Sequence, residues 1–106
     1  MNSPTRLHLL IVEDSPTAAE LLKNQLEGEL TREFSASHVE TLAEAQQFLL
    51  DHRVDLVLLD LNLPDSTGLD TFRELHKKFR YVPIVVLSGM SEESTALEAV
   101  RAGAQD

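Results

Sequence analysis

Three short aliphatic runs, Leu9-Leu10-Ile11-Val12, Leu56-Val57-Leu58-Leu59 and Ile84-Val85-Val86-Leu87, constrain this chain more than any other feature. A strand with one wet face alternates apolar and polar residues. Continuous branched-aliphatic character marks a strand covered on both faces, as in a parallel sheet. Helical patterns lie between the runs. Ser15 can cap a helix with Pro16 at its first position, placing Ala18, Leu22 and Leu26 on one face, and Gly28 could end it. Phe34 to Val39 is a weaker strand candidate. Thr41-Leu42-Ala43-Glu44 is a capping box that opens a second helix with Leu42, Ala45 and Leu49 inward. A third helix follows Ser66 or Thr67, with Leu69, Phe72, Leu75 and Phe79 at helical spacing. A last one begins near Ser91, where Glu92 and Glu93 suit the positive end of the helix dipole, and stops at Gly103. The order β-α-β-α-β-α-β-α predicts an α/β fold, with right-handed crossovers and helices on both faces of a parallel sheet.

With 106 residues and no linker or internal repeat, the chain has room for one domain. Its 9 basic and 18 acidic side chains give a net charge of -9, a field that repels nucleic acid phosphates and anionic lipid and favours proteins or cations as partners. The absence of cysteine excludes disulfides, thiolate metal sites and a cysteine nucleophile. The aliphatic runs are far shorter than the roughly 20 residues that cross a bilayer, and the polar start from Met1 to Arg6 does not resemble a secretory signal. Cytoplasmic localisation is the expectation.

In open parallel sheets ligands sit at the carboxyl ends of the strands. There the first run ends in Glu13-Asp14, the second in Asp60 and the third in Ser88-Gly89. If Asp14 and Asp60 lie on adjacent strands, their like charges oppose ionisation and folding unless a cation fills the gap. Mg²⁺ prefers oxygen ligands in octahedral geometry and keeps several waters, so one or two carboxylates and a backbone carbonyl suffice for it.

These residues, together with Leu58-Leu59-Asp60-Leu61-Asn62-Leu63-Pro64, Gly68-Leu69, Val82-Pro83 and Ala102-Gly103-Ala104-Gln105-Asp106, resemble the receiver domains of two-component response regulators over Leu7 to Asp106. The resemblance implies a doubly wound, flavodoxin-like sheet of strand order 2-1-3-4. It implies that Asp60 accepts a phosphoryl group by nucleophilic attack, with self-catalysed transfer and dephosphorylation there rather than conventional enzyme turnover. Asp14 would hold Mg²⁺ directly, Glu13 through water, and Asp60 and the Asn62 carbonyl would complete the ligand set. Ser88 would be the switch hydroxyl and Gly89 would admit close backbone approach. Asn62 and Met90 stand where the family tunes phosphoryl lifetime. The donor implied is a sensor histidine kinase or phosphotransfer protein, with an output domain beyond the chain end and a homodimer as an option. Family receivers continue past Asp106 into a fifth strand, with a Lys at its end, and a fifth helix. The expectation is therefore a single receiver domain over 1–106, C-terminally incomplete.

Taken alone, an Asp after an aliphatic run is usually only the point where a strand surfaces. Asp65, Asp70, Glu92 and Glu93 read as solvated or helix-start charges, Lys77, Lys78 and Arg80 as a cluster closing a helix, and His8, His38, His52 and His76 as surface residues. The alternative function is an unphosphorylated receiver-like interaction module. A Mg²⁺-dependent phosphatase with an aspartyl nucleophile generally needs a second acid two residues on, where Asn62 stands. A flavin carrier would meet phosphate repulsion from Glu13 and Asp14.

Overall fold

The computed structural model describes residues 6–29 and 33–87. In chain order the elements are β1 (Leu7–Val12), α1 (Pro16–Glu29), β2 (Phe34–Val39), α2 (Leu42–Asp51), β3 (Leu56–Asp60), β4 (Asn62–Leu63), β5 (Ser66–Thr67), α3 (Leu69–Lys78) and β6 (Ile84–Leu87). The main sheet runs β2-β1-β3-β6, all parallel. This is the expected 2-1-3-4 order of the four long strands.

Both faces of the central strands are covered, which is why their sequences do not alternate. Leu7, Leu9 and Ile11 of β1 and Leu56 and Leu58 of β3 meet Ala19, Leu22 and Leu26 of α1. Leu10, Val12, Val57 and Leu59 point the other way, onto Leu42, Ala45 and Leu49 of α2 and Leu75 of α3. Leu9, Leu10, Ile11, Val12, Val57, Leu58 and Leu59 are fully buried. Each contributes roughly 1.5–3 kcal/mol through apolar burial, so these two strands anchor the three-layer sandwich.

Local departures from the expected pattern have physical causes. The inward stripe of α1 passes through Ala19 rather than Ala18, because spacings of both three and four residues fit a 3.6-residue turn. Gly28 does not end α1, which runs on to Glu29; an exposed helical glycine costs about 1 kcal/mol of propensity, too little to stop a packed helix. The third helix follows Ser66 and Thr67 as expected, but begins only at Leu69, since those two residues pair antiparallel with Leu63 and Asn62. Gly68 then turns the chain with φ 75 and ψ -166, leaving Leu69 58% exposed. Thr71 is the buried residue of the first turn, its hydroxyl shared with Ser66 Oγ at 2.8 Å and the Leu61 carbonyl at 3.4 Å. His76, Lys77 and Lys78 occupy the last turn of α3, where cations complement the dipole. The helix expected from Ser91 to Gly103 lies outside the described residues.

Candidate functional site

Strand register dictates which side chains meet at the carboxyl end of the sheet. Ile11 lies opposite Leu58 and Val12 opposite Leu59. One step further, Glu13 comes level with Asp60, and both share the α1-side parity of Ile11 and Leu58. Asp14 begins the loop into α1. Carboxylate oxygens of Glu13, Asp14 and Asp60 all lie within 4.8 Å of one another. Glu13 is 7% exposed, Asp60 half-buried and Asp14 exposed.

This is an electrostatically uphill arrangement. Burial of Glu13, together with the nearby Asp60 charge and the hydrogen bonds its protonated form can make to Asp14 and Asp60, pushes its carboxyl up from 4.5 to about 7. The Ser15 N–H, donating to Glu13 Oε2 at 3.2 Å, opposes that rise but does not cancel it. A hard divalent cation fits the donor set. Every ligand is an oxygen, the charge it would neutralise is concentrated, and the exposed Asp14 side leaves room for retained waters.

The surrounding backbone is tied down at several points. The Asn62 N–H donates to Asp60 Oδ1 at 3.0 Å, fixing one face of that carboxylate. Asn62 itself is exposed and pairs with Thr67 in the small hairpin. Ser15 caps α1 by accepting from the Ala18 N–H at 3.2 Å. Thr41 Oγ1 accepts from the Glu44 N–H at 3.0 Å, as the capping box predicts, but Glu44 Oε1 reaches back to the Glu40 N–H at 2.9 Å rather than to Thr41.

Two contacts were not foreseen in the sequence. Asp65, read as a solvated or helix-start charge, caps a helix 23 residues before it: the Leu42 and Ala43 N–H groups donate to its two carboxylate oxygens at 2.9 and 3.0 Å. Desolvation pushes the Asp65 carboxyl up, but the backbone amides of Leu42, Ala43 and Asp65 itself together outweigh it and hold it below 3.8. The hairpin that follows Asp60 is thereby fastened to α2. The second is His38. Among the histidines expected at the surface, His52 and His76 are exposed and stacked on Phe48 and Phe72, with centroids at 4.0 and 5.2 Å. His8 and His38 are instead half-buried. His8 Nδ1 lies 2.6 Å from the Arg53 carbonyl, and His38 Nε2 lies 2.6 Å from the Glu13 carbonyl. The latter could have been suspected from parity alone, since His38 pairs with Ile11 near the carboxyl end of β2.

Of the residues singled out in the sequence, Glu13, Asp14 and Asp60 are brought together and Asn62 adjoins them. Ser88, Gly89 and Met90 lie outside the described residues, although Leu87, just before them in sequence, pairs with Asp60. Among the described residues no helix is long and apolar enough to cross a membrane.

Comparison with known proteins agrees with this geometry. The family model for the response regulator receiver domain matches residues 9–106. The KDP operon transcriptional regulatory protein KdpE of Escherichia coli (strain K12) is 40% identical over 99 residues, covering 93% of this chain and 42% of that protein. The response regulator protein PilR of Pseudomonas aeruginosa is 33% identical over 102 residues, 96% of this chain and 22% of its own length. The chain thus spans less than half the length of these curated relatives. Among solved structures, a CheY-like response regulator receiver domain from Methylobacillus flagellatus superposes with a TM-score of 0.73 at 25% identity, covering 93% of this chain and 99% of that one. The MaeR response regulator bound to beryllium trifluoride gives a TM-score of 0.69 at 30% identity, covering 89% of this chain and 76% of its own. Fold, strand-end carboxylates and sequence kinship lead to one conclusion: this chain belongs to the response regulator receiver domain family of two-component signalling.

Proposed function

We propose that this domain is a phosphorylation switch in which Asp60 takes a phosphoryl group from a phosphohistidine on a sensor histidine kinase or phosphotransfer protein. The observation that carries this reading is the meeting of Glu13, Asp14 and Asp60 within 4.8 Å at the carboxyl ends of β1 and β3. An Asp60 carboxylate oxygen attacks phosphorus, the bond to the donor's leaving group breaks, and an acyl phosphate forms. The Asn62 N–H engages Asp60 Oδ1 and so holds the attacking carboxylate in one orientation. Asp14 would hold Mg²⁺ directly, Glu13 would do so through water, and Asp60 with the Asn62 carbonyl would complete the set. Bound there, the ion supplies charge stabilisation to the transferring group, the main requirement of phosphoryl transfer. In the role the family resemblance implies, Ser88 would donate its hydroxyl to the phosphoryl oxygen and Gly89 would admit close backbone approach.

Residues 1–106 act in this reading as a single receiver domain that switches an output domain or a partner protein, in the cytoplasm, where a cysteine-free chain suits reducing conditions. A net charge of -9 argues against direct contact with nucleic acid. A homodimer through the last strand and helix is a further option the family offers.

The test is intact-mass measurement after incubation with Mg²⁺ and acetyl phosphate. A single phosphate adduct should form, vanish in Asp60→Asn and vanish when the metal is chelated. A folded wild-type chain that takes no phosphate would support the alternative of an unphosphorylated interaction module.

A further inference from the structure

We propose that His38 is a positioning residue for the acidic cluster: its Nε2–H holds the Glu13 carbonyl and so fixes the peptide plane from which Glu13 and Asp14 present their carboxylates to a divalent cation. The inference rests on the reading of the cluster as a cation and phosphoryl site.

The geometry begins with the end of the β1–β2 ladder. The last paired residues are Val12 and Val39. The Glu13 N–H still reaches the Val39 carbonyl at 3.0 Å, but beyond that point β2 turns away into α2 and offers no further ladder amide. The Glu13 carbonyl meets the His38 ring instead, at 2.6 Å and partly shielded from solvent. A carbonyl can only accept, so Nε2 carries the hydrogen there. β2 therefore grips residue 13 at both its amide and its carbonyl.

That grip matters because the Glu13 carbonyl and the Asp14 amide share one rigid plane. If the carbonyl swings, the Asp14 Cα and side chain swing with it. Asp14 is exposed, so core packing does not fix its direction. Like charges within 4.8 Å would drive the carboxylates apart whenever the backbone allowed it. His38 opposes that motion from outside the ligand set, as partners behind metal ligands commonly do.

The bland alternative is a histidine that merely satisfies a strand-end carbonyl. It predicts a loss of stability without a selective loss of cation affinity, and the two can be separated. His38→Leu keeps comparable bulk without a donor, and His38→Gln can place an amide N–H near the position of Nε2. Mg²⁺ is titrated calorimetrically into the full chain of each, with thermal midpoints in metal-free buffer as the control. The Leu variant should bind Mg²⁺ about tenfold more weakly and the Gln variant should remain close to wild type. A Leu variant that binds as wild type does, or a Gln variant that loses as much as Leu, would overturn the assignment. If the Leu variant fails to fold, ¹⁵N chemical shifts of the His38 ring in the wild type decide. A protonated Nε2 whose resonance moves on Mg²⁺ addition is expected, and a bare Nε2, or a protonated one that Mg²⁺ leaves unmoved, refutes the proposal. Failure of the wild-type chain itself to bind Mg²⁺ would instead overturn the reading of the cluster, and this inference with it.

Discussion

Glu13→Gln should stabilise the metal-free protein at alkaline pH and do nothing at acid pH. The folded Glu13 carboxyl holds its proton up to about 7, against 4.5 for an unperturbed group, because of burial and the neighbouring acids. Its contribution to stability is therefore fully present below 4.5 and is lost as the pH rises through about 7. At one pH unit per roughly 1.4 kcal/mol, the full loss is at most about 3.5 kcal/mol. Solvent around the exposed Asp14 screens the cluster, and about half of that is a realistic figure. Glutamine never ionises and its amide oxygen can still accept from the Ser15 N–H, so the variant keeps what the wild type loses. Thermal unfolding in metal-free buffer should show matching midpoints at pH 4.5 and a variant about 6 °C higher at pH 8. Saturating Mg²⁺ should reverse the order at pH 8, since a ligand that binds only the folded state stabilises the better binder more. Equal midpoints at pH 8 without metal, or an offset of the same size at both pH values, would show that burial and the neighbouring acids do not raise the Glu13 carboxyl as reasoned.

Other perturbations probe the frame around the site. Asp65→Ala removes the acceptor of two α2 amides and should lower stability by about 1 kcal/mol in denaturant titrations; because its carboxyl is held below 3.8, the deficit should be present above that value and fade as the pH falls through the lowered one. Gly68→Ala places a side chain at φ 75 and ψ -166, and although a Cβ there would meet no heavy atom within 4 Å, the backbone strain alone should cost about 1–3 kcal/mol of unfolding free energy. Leu58→Ala, at a fully buried position, should lower stability by about 2–5 kcal/mol with the denaturant slope unchanged.

What could be read from the sequence was what short-range periodicity encodes. The aliphatic runs gave the buried strands, their ends gave Glu13, Asp14 and Asp60, and Thr41 announced α2. Long-range polar contacts left no such trace. Asp65 follows a proline in what looks like an ordinary turn, and only the folded chain brings it to an α2 amide pair 23 and 22 positions away. His38 sits in Phe34–Val39, a strand whose residues are all half-buried and whose pattern is correspondingly faint. The hairpin of β4 and β5 has two-residue strands, below the length at which alternation can register. Thr71 was overlooked because a threonine on a helix reads as solvent-facing until its hydroxyl is seen to bind Ser66 and Leu61.

The same register that builds the core also creates the repulsion at its edge. Ile11 and Leu58 are locked opposite each other beneath α1, so the residues two steps on, Glu13 and Asp60, have no freedom to choose different faces. Slipping either strand by one residue would part the carboxylates, but it would also turn every leucine, isoleucine and valine of that strand to the wrong helix layer. With each buried aliphatic contributing roughly 1.5–3 kcal/mol, such a slip forfeits far more than the few kcal/mol of repulsion it relieves. The acids are therefore held together by the leucines, isoleucines and valines beneath them, and the relief the strands cannot provide is left to a cation arriving at the open, Asp14 side. Carboxylates anchored to an unyielding sheet cannot relax by moving apart, so a cation bound among them changes the local energy by the few kcal/mol that the strands cannot release.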